Sequence, residues 1–455
     1  MIVTDKYSAQ PEQGRQTLYA GYGKVDITPD YAVSLGGYGN YENRRANGVL
    51  DPIYMTCIAL TQGKETVLLY TIDNQCCGTT LTGELRKGVA LATGVSADRI
   101  FFGATHCHSC PIVVWFTDEA SERYRAFLSE AAAQAGLRAL EDRAPATVLQ
   151  SKQLIEGLNF CRHYKLADGT TAGSNYGRFD QAAIVGHAAE ADRQMVLVRF
   201  AREEKKDILL VNWQAHVDHA GENGFLNISA DFPGAMRTAL ESETDMQVAY
   251  FTGASGNMSY QSRIPEENPG LTMTQYGQEL ARRVLEALPL MTPVSGQPMA
   301  AKRFMLQVNI NHAGNDRLEE AREVVELWLS EGKPKGHELA IRRGFSSVYH
   351  ASSVAERAKF PETEEVELSV FCVAGVAFAG APNEMFAETA MHIKEQSPFD
   401  TTFIVSGNEY YIPTRNAFRH GCYEADTSRY TEGTAERIGD ALVEALKELK
   451  ADVNG

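Results

Sequence analysis

Residues 208–221 read ILLVNWQAHVDHAG. Positions 208–213 form a short, mostly apolar run of the kind that makes a buried strand, and the run breaks at Gln214 into the polar His216, Asp218 and His219. In α/β folds, side chains stationed just past the carboxyl end of a strand are the ones that converge on ligands. The same phrase recurs as VLLYTID around residue 70, IFFGAT from Ile100, MVLVRF from Met195 and VAYFTG from Val248, with amphipathic stretches between. Strand followed by helix is thus the repeating unit. The expected fold class is α/β, with mixed β-sheets flanked by helices.

Residues 119–143 place Tyr124, Phe127, Leu128, Ala131 and Ala135 on one helical face, and the stretch from Leu318 does the same with Ala321, Val324, Val325 and Trp328. Both read as core-facing helices. Residues 431–450 carry Ile438, Ala441, Leu442 and Leu446 at helical spacing before the polar tail ADVNG, which predicts a closing helix. Residues 312–361 are charged and helical in pattern and hold no cluster of catalytic residue types, so an inserted helical pair at the rim of a site is expected there. At 455 residues the chain exceeds the size of an ordinary single core, yet no Pro- or Gly-rich linker divides it. No firm boundary is placed within 1–455.

The balance of 43 basic against 59 acidic residues gives a formal charge of -16, which repels phosphate backbones and anionic membrane surfaces. No nucleic-acid partner is expected. The N-terminal MIVTDKYSAQPEQGRQ is polar where a secretory signal is apolar, and no later apolar run is long enough to cross a bilayer. The expectation is therefore a cytoplasmic chain with no transmembrane segment. Eight cysteines in so long a chain do not make a disulfide framework, and all eight read as thiols. Nothing in the sequence speaks to oligomeric state.

The chemistry centres on two histidine elements. In GATHCHSCP, residues 103–111, His106 and His108 alternate, so in extended backbone both rings project to one side, letting one bind metal while the other faces a substrate. An incidental surface pair would look the same. His216 equally reads as a loop histidine capping a carbonyl. Taken together they point to zinc, which prefers imidazole, thiolate and carboxylate ligands and, when catalytic, leaves a position for water.

Eight elements then fall in order: GYGKVDITP (21–29), LGGYGN (35–40), THCHSCP (105–111), EGLNFCRHY (156–164), NWQAH (212–216), GASGNMSY (253–260), GAPNEMF (380–386) and YIPTRNAFRHGCYEAD (411–426). This series resembles the catalytic domain of the neutral ceramidases over most of the chain, with THCHSCP in the place of that family's THTHSGP. The resemblance implies a single large catalytic domain over 1–455, without the β-sandwich domain that follows it in secreted members. It implies that His106, His216, Glu384 and Tyr411 ligate Zn2+, while His108, Arg162 and Tyr423 line the substrate amide. Tyr423 follows Tyr411 by twelve positions (423 − 411 = 12), as the family pattern requires, and Tyr410 fits that frame less well. Ser259 corresponds to a serine regarded as nucleophile or substrate-binding hydroxyl, and reads equally as a turn serine. Asp73 stands where it would orient a zinc-bound histidine or cap a helix.

The implied activity is zinc-dependent hydrolysis of an N-acyl amide by attack of zinc-bound water, preferred to a serine acyl-enzyme because no base for Ser259 is identifiable. With neither signal peptide nor β-sandwich expected, a smaller or more polar amide or ester rivals ceramide as the small-molecule or lipid-like substrate. The altered THCHSCP element motivates a second class, a metal-binding scaffold without turnover. Cys107 and Cys110 form a Cys-x-x-Cys that invites a redox reading, but no second pair completes a thiolate site. With Cys161 beside Arg162 and Cys422 beside Tyr423, four thiols are expected to gather near the metal.

Overall fold

The computed structural model describes residues 16–38, 44–114, 118–173, 181–221, 226–294 and 298–453. The N-terminal segment 1–15, Gly39 and Asn40 of the glycine-rich element, and Asn454 and Gly455 of the polar tail lie outside them. Among the described residues, nine strands form the larger sheet: β1 (Leu18–Asp26), β2 (Tyr54–Gln62), β3 (Glu65–Ile72), β4 (Ile100–Ala104), β5 (Ala144–Leu154), β6 (Gln194–Arg202), β7 (Asp207–Trp213), β8 (Met246–Thr252) and β9 (Thr292–Val294). Their spatial order is β8-β7-β6-β5-β1-β2-β3-β4, with β9 added alongside β5. A smaller sheet runs β10 (Ala300–Asn309), β11 (Thr363–Val373), β12 (Val376–Ala381), β13 (Thr401–Ser406).

Pairing follows from the length of each connection. A tight turn at Gly63, where φ is 61°, forces β2 and β3 antiparallel, and the short link after Arg202 does the same for β6 and β7. Where a single helix links two paired strands they run parallel: β3 to β4 through α1 (Thr79–Thr93), β7 to β8 through α3 (Asp231–Glu243), and β12 to β13 through the helix Ala387–Gln396. The expected strand-then-helix unit gives parallel pairs at these places, and both sheets are mixed.

Period-two alternation sorts each central strand between two cores. Ile208 and Leu210 of β7 face the second sheet, in one cluster with Val376, Phe378 and Phe403, while Leu209, Val211 and Trp213 face the helices. Phe371 stacks on Phe101 at 4.9 Å and on Phe378 at 4.2 Å, joining the sheets face to face. Helices α1, α2 (Glu119–Glu141), α3 and α4 (Met273–Ala287) cover the far face of the large sheet. The anticipated core residues Tyr124, Leu128, Ala131 and Ala135 of α2 are buried there. Between β10 and β11 stand three helices, α5 (Leu318–Glu331), α6 (Lys333–Arg342) and α7 (Val348–Arg357), rather than the expected pair, because Gly332 and Pro334 interrupt the helical run and restart it. They share a small core of Ala321, Val324, Ala340, Phe345, Val348, Ala351 and Val354. The smaller sheet is covered by α8 (Ala387–Gln396) and by the closing helix (Thr434–Asp452), which continues two residues into the polar tail beyond Lys450.

The large sheet also curls until its edges meet. Thr71 Oγ1 donates to the Tyr250 carbonyl (2.7 Å) and Thr252 Oγ1 to the Thr105 carbonyl (2.6 Å), joining the β3–β4 edge to β8. Asn212 adds a link between sheets: its amide donates to the Phe251 and Ile404 carbonyls and accepts from Ile404 N. Asp73 takes neither role expected of it. Its carboxylate is paired bidentately with buried Arg237 and accepts from Tyr54 N, so it pins α3 to the sheet.

At the start of α3, Asp231 sits at φ 55° and is fully buried; its carboxylate accepts from Ala220 N and Phe232 N, holding the loop after β7 in place. Burial raises its carboxyl to about 7 from an ordinary 3.8. Folding thus favours the protonated form, and the stability this contributes is complete below the unfolded value and is lost as pH rises through about 7. Asp231→Asn, which stays neutral and tolerates the left-handed backbone, should gain several degrees in thermal midpoint relative to the parent on going from pH 5 to pH 8. A difference between the two proteins that stays constant over that range would place this carboxyl at its ordinary value.

Candidate metal centre

Each side chain of the centre leaves the end of a strand. His106 and His108 follow β4, His216 follows β7, Ser255 and Gly256 follow β8, Glu384 follows β12 and Tyr411 follows β13. Edge closure of the large sheet is what brings the loops after β4 and β7 together, and His108 N donates to the Val217 carbonyl (2.9 Å) between them. Glu384 and Tyr411 are direct partners in a short parallel bridge, Glu384–Met385 with Tyr411–Ile412. That bridge approaches the turn after β8 closely: Gly256 N donates to the Met385 carbonyl, and a Cβ at Gly256 would lie 2.9 Å from the Glu384 carbonyl oxygen.

Three imidazoles converge. His106 Nε2 lies 3.1 Å from His216 Nε2, 3.3 Å from His108 Nε2 and 3.3 Å from Glu384 Oε2. The extended backbone expected to align His106 with His108 is not the cause. His106 adopts φ 65°, and this left-handed turn, sparsely populated for a branched side chain, aims its ring at the others.

The outer nitrogens fix two of the rings. His106 Nδ1 donates to the Gln75 carbonyl (2.8 Å) and His216 Nδ1 to the Ser255 carbonyl (3.2 Å), so both present an Nε2 lone pair to the centre. His108 Nδ1 has no hydrogen-bond partner among the described residues, and its ring lies edge-on to Tyr38 at 5.2 Å. Burial, then the positive charge of neighbours, pushes the His108 and His216 imidazoles well below their usual value. Burial presses on His106 as well, but the Glu384 carboxylate outweighs it and leaves that ring raised. Burial and then Glu384 hold the Tyr411 phenol well above its usual range, against the opposing pull of Arg162.

A divalent cation fits this donor set. Glu384 is only 4 % exposed, and its Oε2 has no hydrogen-bond partner among the described residues, a costly state for a buried carboxylate unless a cation completes it. A tetrahedral zinc with zinc–nitrogen bonds of about 2.0–2.1 Å sets its donor atoms roughly 3.3–3.4 Å apart, close to the spacings around His106 Nε2. The side chains of His106, His108 and His216 form a group able to hold such an ion.

Arg162 lies beside it. The guanidinium donates to the Tyr411 hydroxyl (3.1 Å), the Gly256 carbonyl (2.7 Å) and Glu424 Oε1 (2.8 Å). Glu424 Oε2 meets His163 Nε2 at 2.8 Å, and although burial would raise the Glu424 carboxyl, His163 and Arg162 hold it well below the usual carboxylate range. Tyr423, at the start of the short helix Tyr423–Thr427, is edge-on to Tyr411 at 6.0 Å and to Tyr349 of α7 at 5.9 Å. The Tyr349 hydroxyl donates to the Tyr38 carbonyl (3.1 Å), so α7 reaches across toward His108. Ser259 faces Phe160 across a two-residue bridge, and its Oγ accepts from Gln261 N (3.2 Å), the bond of a turn serine.

The four thiols do not gather at the centre. Cys107 Sγ and Cys110 Sγ both point at the Ser229 carbonyl, at 2.8 and 3.4 Å, inside the core beneath the helices. All eight cysteines are free and buried. Glu424, His163 and the carbonyls of Gln75 and Ser255 carried no signal in the sequence reading. A backbone carbonyl demands no residue type, and Glu424 was visible only as the companion of Tyr423.

No protein-family model matches the chain, and no curated protein matches it in sequence. Solved structures do. A neutral ceramidase from Pseudomonas aeruginosa superposes with a TM-score of 0.69 at 14% identity, over 96% of this chain and 75% of that one. A ceramidase complexed with C2 gives 0.68 at 14% identity, over 95% and 76%. The chain has a neutral ceramidase-like fold.

Proposed function

We propose that this protein is a zinc-dependent hydrolase of linear N-acyl amides. The observation that carries the reading is the convergence of three imidazole Nε2 atoms at the spacing of zinc ligands, with a buried Glu384 oxygen 3.3 Å from the His106 ring. The likeness to ceramidase structures supports an acyl amide as the substrate class.

His106, His216, Glu384 and Tyr411 would hold the metal. The first two are fixed by Nδ1 donation to carbonyls, as zinc-bound histidines are, and His108 is left for the substrate because its ring lacks that bond among the described residues. Bound zinc supplies Lewis acidity, polarising an amide carbonyl and making water acidic enough, with a pKa of roughly 7, to act as nucleophile at neutral pH. In this scheme His108 would donate a hydrogen bond to the charge that develops on the carbonyl oxygen, with Tyr423 and Arg162 alongside. The scheme uses metal-activated water in place of Ser259, whose Oγ accepts from Gln261 N as a turn serine does. The altered THCHSCP element, which motivates the alternative of a metal-binding scaffold without turnover, turns its Cys107 and Cys110 thiols to the Ser229 carbonyl in the core. A smaller or more polar N-acyl amide rivals ceramide as the substrate.

Two measurements check it. Purified protein is expected to take up about one zinc, which His106→Ala and His216→Ala lose, while His108→Ala keeps its zinc and drops kcat by about 10²–10³-fold. Equal zinc loss in all three variants would remove the division between ligands and substrate contact. Against a panel of N-acyl amides and esters running from ceramide to short polar acyl groups, the zinc-loaded protein should cleave amides, stop with a chelator and recover with zinc. If a fully loaded protein cleaves nothing on the panel, the scaffold reading replaces this one.

A further inference from the structure

Behind Tyr411 lies a second buried cluster that the catalytic scheme does not use. His163, Cys422 and Glu424 bring ligand atoms within 4.8 Å of one another, which would suit a metal ion. Arg162 excludes that: its Nε and Nη2 lie 2.8 and 2.6 Å from Glu424 Oε1, so a guanidinium already fills the place of a cation. The arrangement is an ion pair in which two consecutive residues grip the two oxygens of one carboxylate, Arg162 on Oε1 and His163 on Oε2.

The placement of that pair matters. Arg162 is 3 % exposed and reaches the hydroxyl of Tyr411, the bridge partner of Glu384, so its full positive charge faces the proposed metal site through dry protein. Like charges at such range in a low-dielectric interior repel strongly. We infer that Glu424, held in place by His163, is the counter-ion that allows Arg162 to stand beside a divalent cation. It is a positioning residue: it touches neither metal nor substrate in this scheme and acts through Arg162. The inference rests on the proposed metal site.

The test reads Zn2+ affinity of the full chain by competition with a chromophoric chelator. Glu424→Gln should weaken zinc binding about 10–100-fold. Arg162→Met should bind zinc no more weakly than the parent, and the double variant R162M/E424Q should recover to within about threefold of Arg162→Met, because the charge that needed a counter-ion is gone. Should Glu424→Gln fail to fold, the double variant, which buries no lone charge, carries the test alone. A Glu424→Gln protein that binds zinc like the parent, or a double variant that stays as weak as Glu424→Gln or well below Arg162→Met, would overturn the inference. A parent chain that takes up no zinc would sink the metal site itself, so the two failures are told apart.

Discussion

Two threonine hydroxyls join the edges of the large sheet, and this closure brings together the loops of the candidate metal centre. Thr71 and Thr252 donate across the seam to Tyr250 and Thr105, which places the loop carrying His106 and His108 against the loop carrying His216. The carbonyl that Thr252 engages belongs to the residue just before His106. An open sheet in this strand order would leave β4 and β7 far apart, with five strands between them along the hydrogen-bonded path. The second sheet then brings Glu384 beside Tyr411 through an equally local device, a two-residue bridge.

Electrostatics ranks the residues around the centre. A dry interior tolerates neutral imidazoles, and burial keeps His108 and His216 in that form. It does not tolerate a lone carboxylate oxygen, and Glu384 Oε2 is the group that asks for a cation. It tolerates charged Arg162 only with a matched partner, and Glu424 supplies one at salt-bridge distance. Asp73 with Arg237 repeats the solution on the far side of the sheet, where the pair serves attachment of a helix rather than chemistry.

The strands and long helices were legible because each buries one face, and burial writes a period into the sequence: VLLYTID, ILLVNW and the face of Tyr124, Leu128 and Ala131 all carry it. Pairing direction was less legible, since it depends on turn geometry such as that of Gly63 and not on the strands themselves. His106, His108 and His216 could be singled out because ligand chemistry restricts residue type, whereas Glu384 was reached only through the family resemblance. The left-handed turn at His106, the pairing of Asp73 and the direction of the Cys107 and Cys110 thiols were not visible, because each is decided by contacts made more than a hundred residues away.

The three helices between β10 and β11 are joined to the rest of the molecule by strands that pair with each other, so the excursion begins and ends at neighbouring points of one ladder. Their length and sequence are therefore free to diverge without altering strand register or the metal-binding loops. Because Tyr349 from this excursion meets both Tyr423 and the Tyr38 carbonyl, that freedom falls on the rim above the centre. The fold thereby separates the strand-end loops that carry His106, His216 and Glu384 from the helical excursion that shapes the rim above them.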